Sequence, residues 1–132
     1  MVFRVLDATA FYAGIPFSSN DSFMTTSVVY GEIEHIKSKQ GALEMLQQTN
    51  RLQVRDPREE TIKIVNETAE KTGDKITISE QDASIIALAL ENNAELITDD
   101  FAVTNIARQL EIKTSSLMTD GISKVEIGRA HV

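Results

Sequence analysis

Four acids carry the residue types and the placing that suit chemistry in this chain: Asp7, Glu32, Asp82 and Asp100. Carboxylates gathered at one point repel one another unless they are protonated or bridged by cations. A donor set made only of oxygen suits Mg²⁺ or Mn²⁺. Asp99, next to Asp100, is a supporting candidate, and Thr9, Ser84 and Thr98 are small hydroxyl residues one or two positions from an acid. Hydroxyls so placed can orient carboxylates around a metal. Each acid also has a plainer reading. Asp7 can begin an Asx turn, Glu32 can be a solvated helix residue, Asp82 can cap a helix, and Asp99 with Asp100 can open one. The chemical reading depends on all four meeting at one place.

The elements that must bring them together are legible in outline. Phe3 to Leu6 reads as a short strand that ends on Asp7, with a small-residue turn behind it, and Ser18 to Ser22 as a polar loop. Met24 to Thr26 reads as a second strand, after which Ser27 is expected to cap a helix through Val28, Val29, Ile33 and Ile36. Glu32 and Glu34 in that helix point about 200° apart, because successive residues turn by ~100°. Glu32 stacks beside the apolar face, whereas Glu34 faces water.

Ala42 to Gln48 is a further helix and Leu52 to Val54 a third strand. Arg58 to Lys71 follows as an amphipathic helix with Ile62, Val65 and Ala69 inward, stopped near Gly73. Ser79 and Asp82 imitate a capping box at the head of Ile85, Ile86, Leu88, Ala89 and Leu90. That helix is apolar over most of its circumference and belongs in a core. Leu96 to Thr98 is a strand that delivers Asp99 and Asp100, Val103 to Leu110 a helix, and Ile112 to Ser116 a last strand. Alternating strands and helices with short joins predict an α/β fold, a parallel sheet of about five strands between two helical layers. In such a sheet the strand carboxyl ends and the starts of the following helices share one rim. Asp7 and Asp100 fall at strand ends, and Glu32 and Asp82 early in helices.

Composition bounds the alternatives. One domain over residues 1–117 is expected, with 118–132 as a tail whose pattern fits neither helix nor strand. No apolar run approaches the ~20 residues of a membrane span, and the start has no secretory h-region, so no membrane association and a cytoplasmic location are expected. Without cysteine, disulfides, thiol catalysis and zinc–thiolate sites are excluded within these residues. His35 lies beside a polar helix face and His131 in the tail, so neither is a good ligand candidate. A formal charge of −7, from 13 basic and 20 acidic residues, argues against simple electrostatic binding of nucleic acid. Bound divalent cations would invert the local field.

In these residues the chain resembles the PIN-domain nucleases. The matching features are Asp7 in VLDAT, Glu32 in TTSVVYGEI, Asp82 in SEQDASIIALAL, and Thr98 with Asp100 in LITDDF, spread over about residues 2–117. The resemblance implies a PIN-like three-layer α/β/α fold and an endoribonuclease that uses Mg²⁺ or Mn²⁺. It implies Asp7, Glu32, Asp82 and Asp100 as the catalytic and metal-holding acids, with Asp99 assisting. Within the family, the run from Ala69 to Ile112 is most similar to the Nob type, which trims the 3′ end of small-subunit rRNA. The implied partners are therefore pre-rRNA and the small-subunit precursor, and self-association is open. Nob-type proteins usually continue into a cysteine-rich zinc ribbon, so this chain is expected to be a PIN-domain piece or a shortened relative.

Three rival readings remain. A VapC-like toxin ribonuclease shares the four acids. A non-catalytic RNA-binding or ribosome-assembly module would use the acid pocket structurally. A receiver-like phosphoacceptor is disfavoured, because no Asp ends the strand at Leu52 to Val54, taken as the middle of the sheet, and no Lys ends the last strand.

Overall fold

The computed structural model describes residues 3–36 and 40–117. Strand β1 (Phe3–Leu6) lies at the centre of a five-stranded sheet, between β2 (Ser22–Thr25) and β4 (Glu95–Ile97). Beyond β2 lies β3 (Leu52–Val54), and beyond β4 lies β5 (Thr114–Ser115), giving the order β3-β2-β1-β4-β5. All four pairings are parallel, with Val5 opposite both Met24 and Leu96. This is the parallel five-stranded α/β sheet expected. One expectation about it is corrected: β3 is an edge strand, and the middle strand is β1, which ends on Asp7. The argument made against a receiver-like domain from the end of β3 therefore does not hold.

Among the described residues six α-helices and a short 3-10 helix (Ile15–Phe17) connect the strands: α1 (Ala8–Tyr12), α2 (Ser27–Ile33), α3 (Gln40–Gln48), α4 (Glu59–Thr72), α5 (Glu80–Asn92) and α6 (Phe101–Gln109). From β1 the chain steps to β2 and then β3 at one edge, returns across the sheet to β4, and steps on to β5. Right-handed crossovers put connections that travel in opposite directions on opposite faces, which yields the three layers. The change of direction falls between β1 and β4. A crevice opens at the carboxyl ends of strands at such a point, and these strands are followed by Asp7 and by Asp99 and Asp100.

Helix α5 is the main anchor of the core. Ala83 through Ala89 are all buried, and the helix packs on β1 and β4 as well as on α2, α4 and α6. Ile85 and Ile86 are fully buried, each stabilising the fold by roughly 1.5–3 kcal/mol relative to exposure. Ser79 and Asp82 form the expected capping box. At the other end Asn93 takes the left-handed conformation, φ 51°, that closes the helix. Gly73 does the same for α4 at φ 82°.

Several boundaries shift for tertiary reasons. Ser22 belongs to β2 and is buried, so the polar loop is shorter than expected. The residues after Asp7 form α1 rather than a turn. Thr26, not Ser27, caps α2 by accepting from the Val29 N–H. Ser27 instead donates its hydroxyl and its N–H to Asp56. Thr61 takes a buried place on α4 where Ile62 was expected, and Ile62 is partly buried. Among the described residues no helix is long and apolar enough to cross a membrane. The tail at 118–132, with His131, lies outside the described residues.

Candidate active site

The expected acids share one cavity. Asp7, Glu32, Asp82, Asp99 and Asp100 all line a space of about 400 Å³ at the sheet's carboxyl rim, together with Thr9 and Gln81. Val29, Ile85 and Leu117 supply the apolar part of the wall. Glu34 and His35 are exposed and line none of it.

Each acid is held by one oxygen. Asp7 caps α1: its Oδ1 accepts from the Ala10 N–H at 3.0 Å and from the Thr9 hydroxyl at 2.7 Å. Asp100 caps α6 in the same way, its Oδ1 accepting from the Val103 N–H at 3.0 Å. Asp82 Oδ2 accepts from the Ser79 N–H at 2.9 Å within the capping box. Glu32 Oε2 accepts from the Tyr12 hydroxyl at 3.3 Å, and Asp99 Oδ1 from the Leu117 N–H at 3.2 Å. Thus the plain capping readings of Asp82 and Asp100 are correct, Asp7 caps a helix where an Asx turn was expected, and none of these roles competes with the chemical one. Helix N-termini favour carboxylates, and the bonds named here reach one oxygen of each acid.

The accumulated charge registers on Asp7. Burial pushes its carboxyl above the ordinary range. The bonds from Thr9 and Ala10 pull in the opposite direction, and the charges of Asp82 and Asp100 add to the rise. The ion pairs Arg4–Asp21 and Arg58–Glu91 involve none of these acids.

The three hydroxyl residues divide. Thr9 orients the Asp7 carboxylate as expected. Thr98 acts one atom away from expectation, its Oγ1 accepting from the backbone N–H of Asp100 at 3.0 Å. Ser84 does not touch Asp82. It is buried, donates to the Gln81 carbonyl at 2.7 Å, and meets the Thr26 hydroxyl at 2.8 Å. Since the Ser84 proton goes to Gln81, Thr26 donates to Ser84 while accepting from Val29. Ser84 therefore ties the head of α2 to the head of α5. Tyr12 and Leu117 were not singled out from sequence. Tyr12 sits five residues after Asp7 on α1, and Leu117 lies just beyond β5.

The donor set fits a divalent cation in chemistry and charge: all oxygen, several carboxylates on one cavity wall, and a partly buried acid raised by burial and further by its acidic neighbours. Among the described residues no three acids or histidines already stand at the mutual spacing of a closed ion cage. The fit is thus one of donor type and charge, not of preset coordination.

Comparisons with known proteins agree with this architecture. A family model described as the PIN domain of ribonuclease matches residues 4–91. The chain is 36% identical over 130 residues to Endoribonuclease Nob1 of Methanocaldococcus jannaschii, a match covering 98% of this chain and 64% of that protein. It therefore spans less than two-thirds of that relative's length. To Ribonuclease VapC1 of Thermoplasma acidophilum it is 43% identical over 61 residues, 46% of this chain and 31% of that one. In fold it is similar to a PilT N-terminus domain protein from Sulfolobus solfataricus P2, with a TM-score of 0.59, 23% identity and 95% of each chain covered. On the family match, the sheet order and the shared acid cavity, this chain belongs to the PIN-domain family.

Proposed function

We propose that the chain is a metal-dependent endoribonuclease that cleaves single-stranded RNA, with the 3′ end of small-subunit pre-rRNA as its substrate. The observation that carries this reading is the gathering of Asp7, Glu32, Asp82, Asp99 and Asp100 on one cavity wall at the switch point of the sheet. Asp7, Glu32, Asp82 and Asp100 would hold one or two Mg²⁺ or Mn²⁺ ions through their carboxylates, with Asp99 beside them. When bound, the cation activates water and stabilises the charge of an in-line displacement at phosphorus.

The chain's own residues prepare the site. Thr9 and the N–H groups of Ala10, Ser79 and Val103 hold the carboxylates in fixed positions. No carboxylate rotamer then has to be found during reaction. Val29, Ile85 and Leu117 keep part of the wall apolar, which strengthens electrostatic interactions inside. A net charge of −7 repels phosphate, and a cation bound at the acids would offset that repulsion locally.

The rRNA assignment draws on the match to a Nob1 protein along 98% of this chain. A VapC-like toxin is the second reading, favoured by the higher identity of the shorter match. Both are tested by offering the protein in Mn²⁺ an RNA that spans the mature 3′ end of small-subunit rRNA, a scrambled RNA and a tRNA mixture. One cut at the mature end supports rRNA maturation, and preferential cleavage of another RNA supports the VapC-like reading. No cleavage of any RNA overturns the nuclease reading in favour of a binding module.

A further inference from the structure

Two acids of the cavity have an exposed aromatic residue beside them, one through a hydrogen bond and one through the chain. The chain has seven aromatic residues, five Phe and two Tyr. Phe11 and Phe23 are buried, and Phe3, Phe17 and Tyr30 pack partly buried against the core. Only Tyr12, 52% exposed, and Phe101, 79% exposed, stand out in solvent. Both are joined directly to acids of the site. The Tyr12 hydroxyl donates to Glu32, and Phe101 is the peptide neighbour of Asp100 and the first residue of α6. The inward face of α6 is made by Ala102, Val103, Ile106 and Ala107, so packing does not account for an aromatic at 101. Among the described residues the other exposed large apolar side chains, Met45, Ile64 and Ile76, are all aliphatic, and none is a chain neighbour of an acid of the cavity.

We propose that Tyr12 and Phe101 are stacking platforms for two bases of single-stranded RNA bordering the phosphate held at the acid cavity. The proposal rests on the endoribonuclease reading and extends it from the phosphate to the bases. Aromatic faces accept any base, so they bind a strand without requiring one sequence, and they reach only bases that are already unstacked. That selects single strands over duplex. Stacking also contributes what electrostatics withholds here, because it needs no positive surface, and this chain carries seven more acidic than basic residues. Tyr12 combines the two functions: its ring is open to solvent while its hydroxyl holds Glu32. A phenylalanine at that position keeps the platform and loses the hold.

The test uses the full chain, a short fluorescent single-stranded RNA and its duplex. Binding is measured in chelator, and cleavage in Mn²⁺. Phe101→Leu keeps apolar volume on an exposed site and removes only the aromatic face. It is expected to weaken single-strand binding and raise KM by roughly 5- to 150-fold, with kcat changed far less. Phe101→Trp is expected to restore both. An RNA with an abasic residue at the matching position should bind wild type and Phe101→Leu equally. Tyr12→Leu should raise KM as Phe101→Leu does, whereas Tyr12→Phe should keep KM and lower kcat.

Unchanged binding and KM in Phe101→Leu and Tyr12→Leu, with wild type still cleaving, overturns the stacking proposal and leaves the nuclease reading standing. A loss of self-association in Phe101→Leu, seen by sedimentation with RNA binding unchanged, overturns it in favour of a protein interface. A wild type that cleaves no RNA overturns the nuclease reading itself and the stacking proposal with it.

Discussion

The hydroxyls of Thr26 and Ser84 meet at 2.8 Å in the buried interior. They join the cap of α2, the helix that carries Glu32, to the first turns of α5, the helix that carries Asp82. Two of the acids are thereby held relative to each other by a bond that neither makes. Ser84→Ala should cost about 1 kcal/mol and lower Tm by about 3–5 °C. Thr26→Val, which also removes the cap on Val29, should cost about 1 kcal/mol more. A double-mutant cycle by chemical denaturation checks this, and strict additivity would deny the coupling.

Asp7 makes metal-free stability depend on pH with a sign opposite to that of a paired acid. Burial, then Asp82 and Asp100, raise its carboxyl above the ordinary 3.8 despite Thr9 and Ala10. Below 3.8 both folded and unfolded chains hold the proton. As pH rises past it the unfolded chain releases first, so stability falls until the folded group ionises and is level thereafter. Asp7→Asn keeps the α1 cap and abolishes this titration. In chelator the variant should therefore gain stability over wild type as pH rises from 3 to 7. Melts at matched pH test it, and a difference that does not change with pH contradicts it.

Asp82 and Asp100 differ as targets. Asp82→Ala breaks the capping box, since Asp82 accepts from the Ser79 N–H, and should cost about 1 kcal/mol even without metal. Asp100→Asn preserves a capping oxygen toward Val103 and should leave metal-free stability within about 0.5 kcal/mol. Both should lose the Mn²⁺-induced rise in Tm, which in wild type reaches the equivalent of about 2.7 kcal/mol at a hundredfold excess over Kd. Thermal melts with and without Mn²⁺ separate the two effects.

Glu91 is a structural acid and serves as the control. Arg58 at the head of α4 makes no side-chain cap of its own, and Glu91 from α5 accepts its N–H at 2.6 Å instead. Burial works to raise the Glu91 carboxyl, but bonds from Thr61 and Arg58 outweigh it and hold it below the ordinary range. Its contribution is present above the unfolded pKa and is lost as pH falls through the folded one. Glu91→Ala should cost about 1–2 kcal/mol at pH 7, with the deficit shrinking in acid. RNA cleavage per folded molecule should be unchanged. A drop in cleavage equal to that of Asp100→Asn would place Glu91 in the site.

Much of this was legible because the governing signals are local. Alternating strand and helix periods show α/β, and Ser79 with Asp82 mark the head of α5 correctly because a capping box is closed within four residues. The strand ends at Asp7 and Asp100 follow from short apolar runs. The departures are tertiary. Ser27 is as good a local cap as Thr26, but Asp56, 29 residues away, takes its hydroxyl. Ser84 stands two residues from Asp82, yet helical geometry turns it to the buried side, where Thr26 meets it. The central place of β1 depends on which strands pair, and short parallel strands carry no mark of their neighbours. Phe101 reads as an ordinary apolar residue until its exposure is known.

The most direct test of the central claim is single-turnover cleavage of a single-stranded RNA in Mn²⁺ by wild type and Asp7→Asn, with circular dichroism on both. The account predicts internal cuts by wild type that vanish in chelator, no cuts by Asp7→Asn, and identical spectra. Undiminished cleavage by a folded Asp7→Asn protein, or wild-type cleavage that persists in chelator, would contradict it.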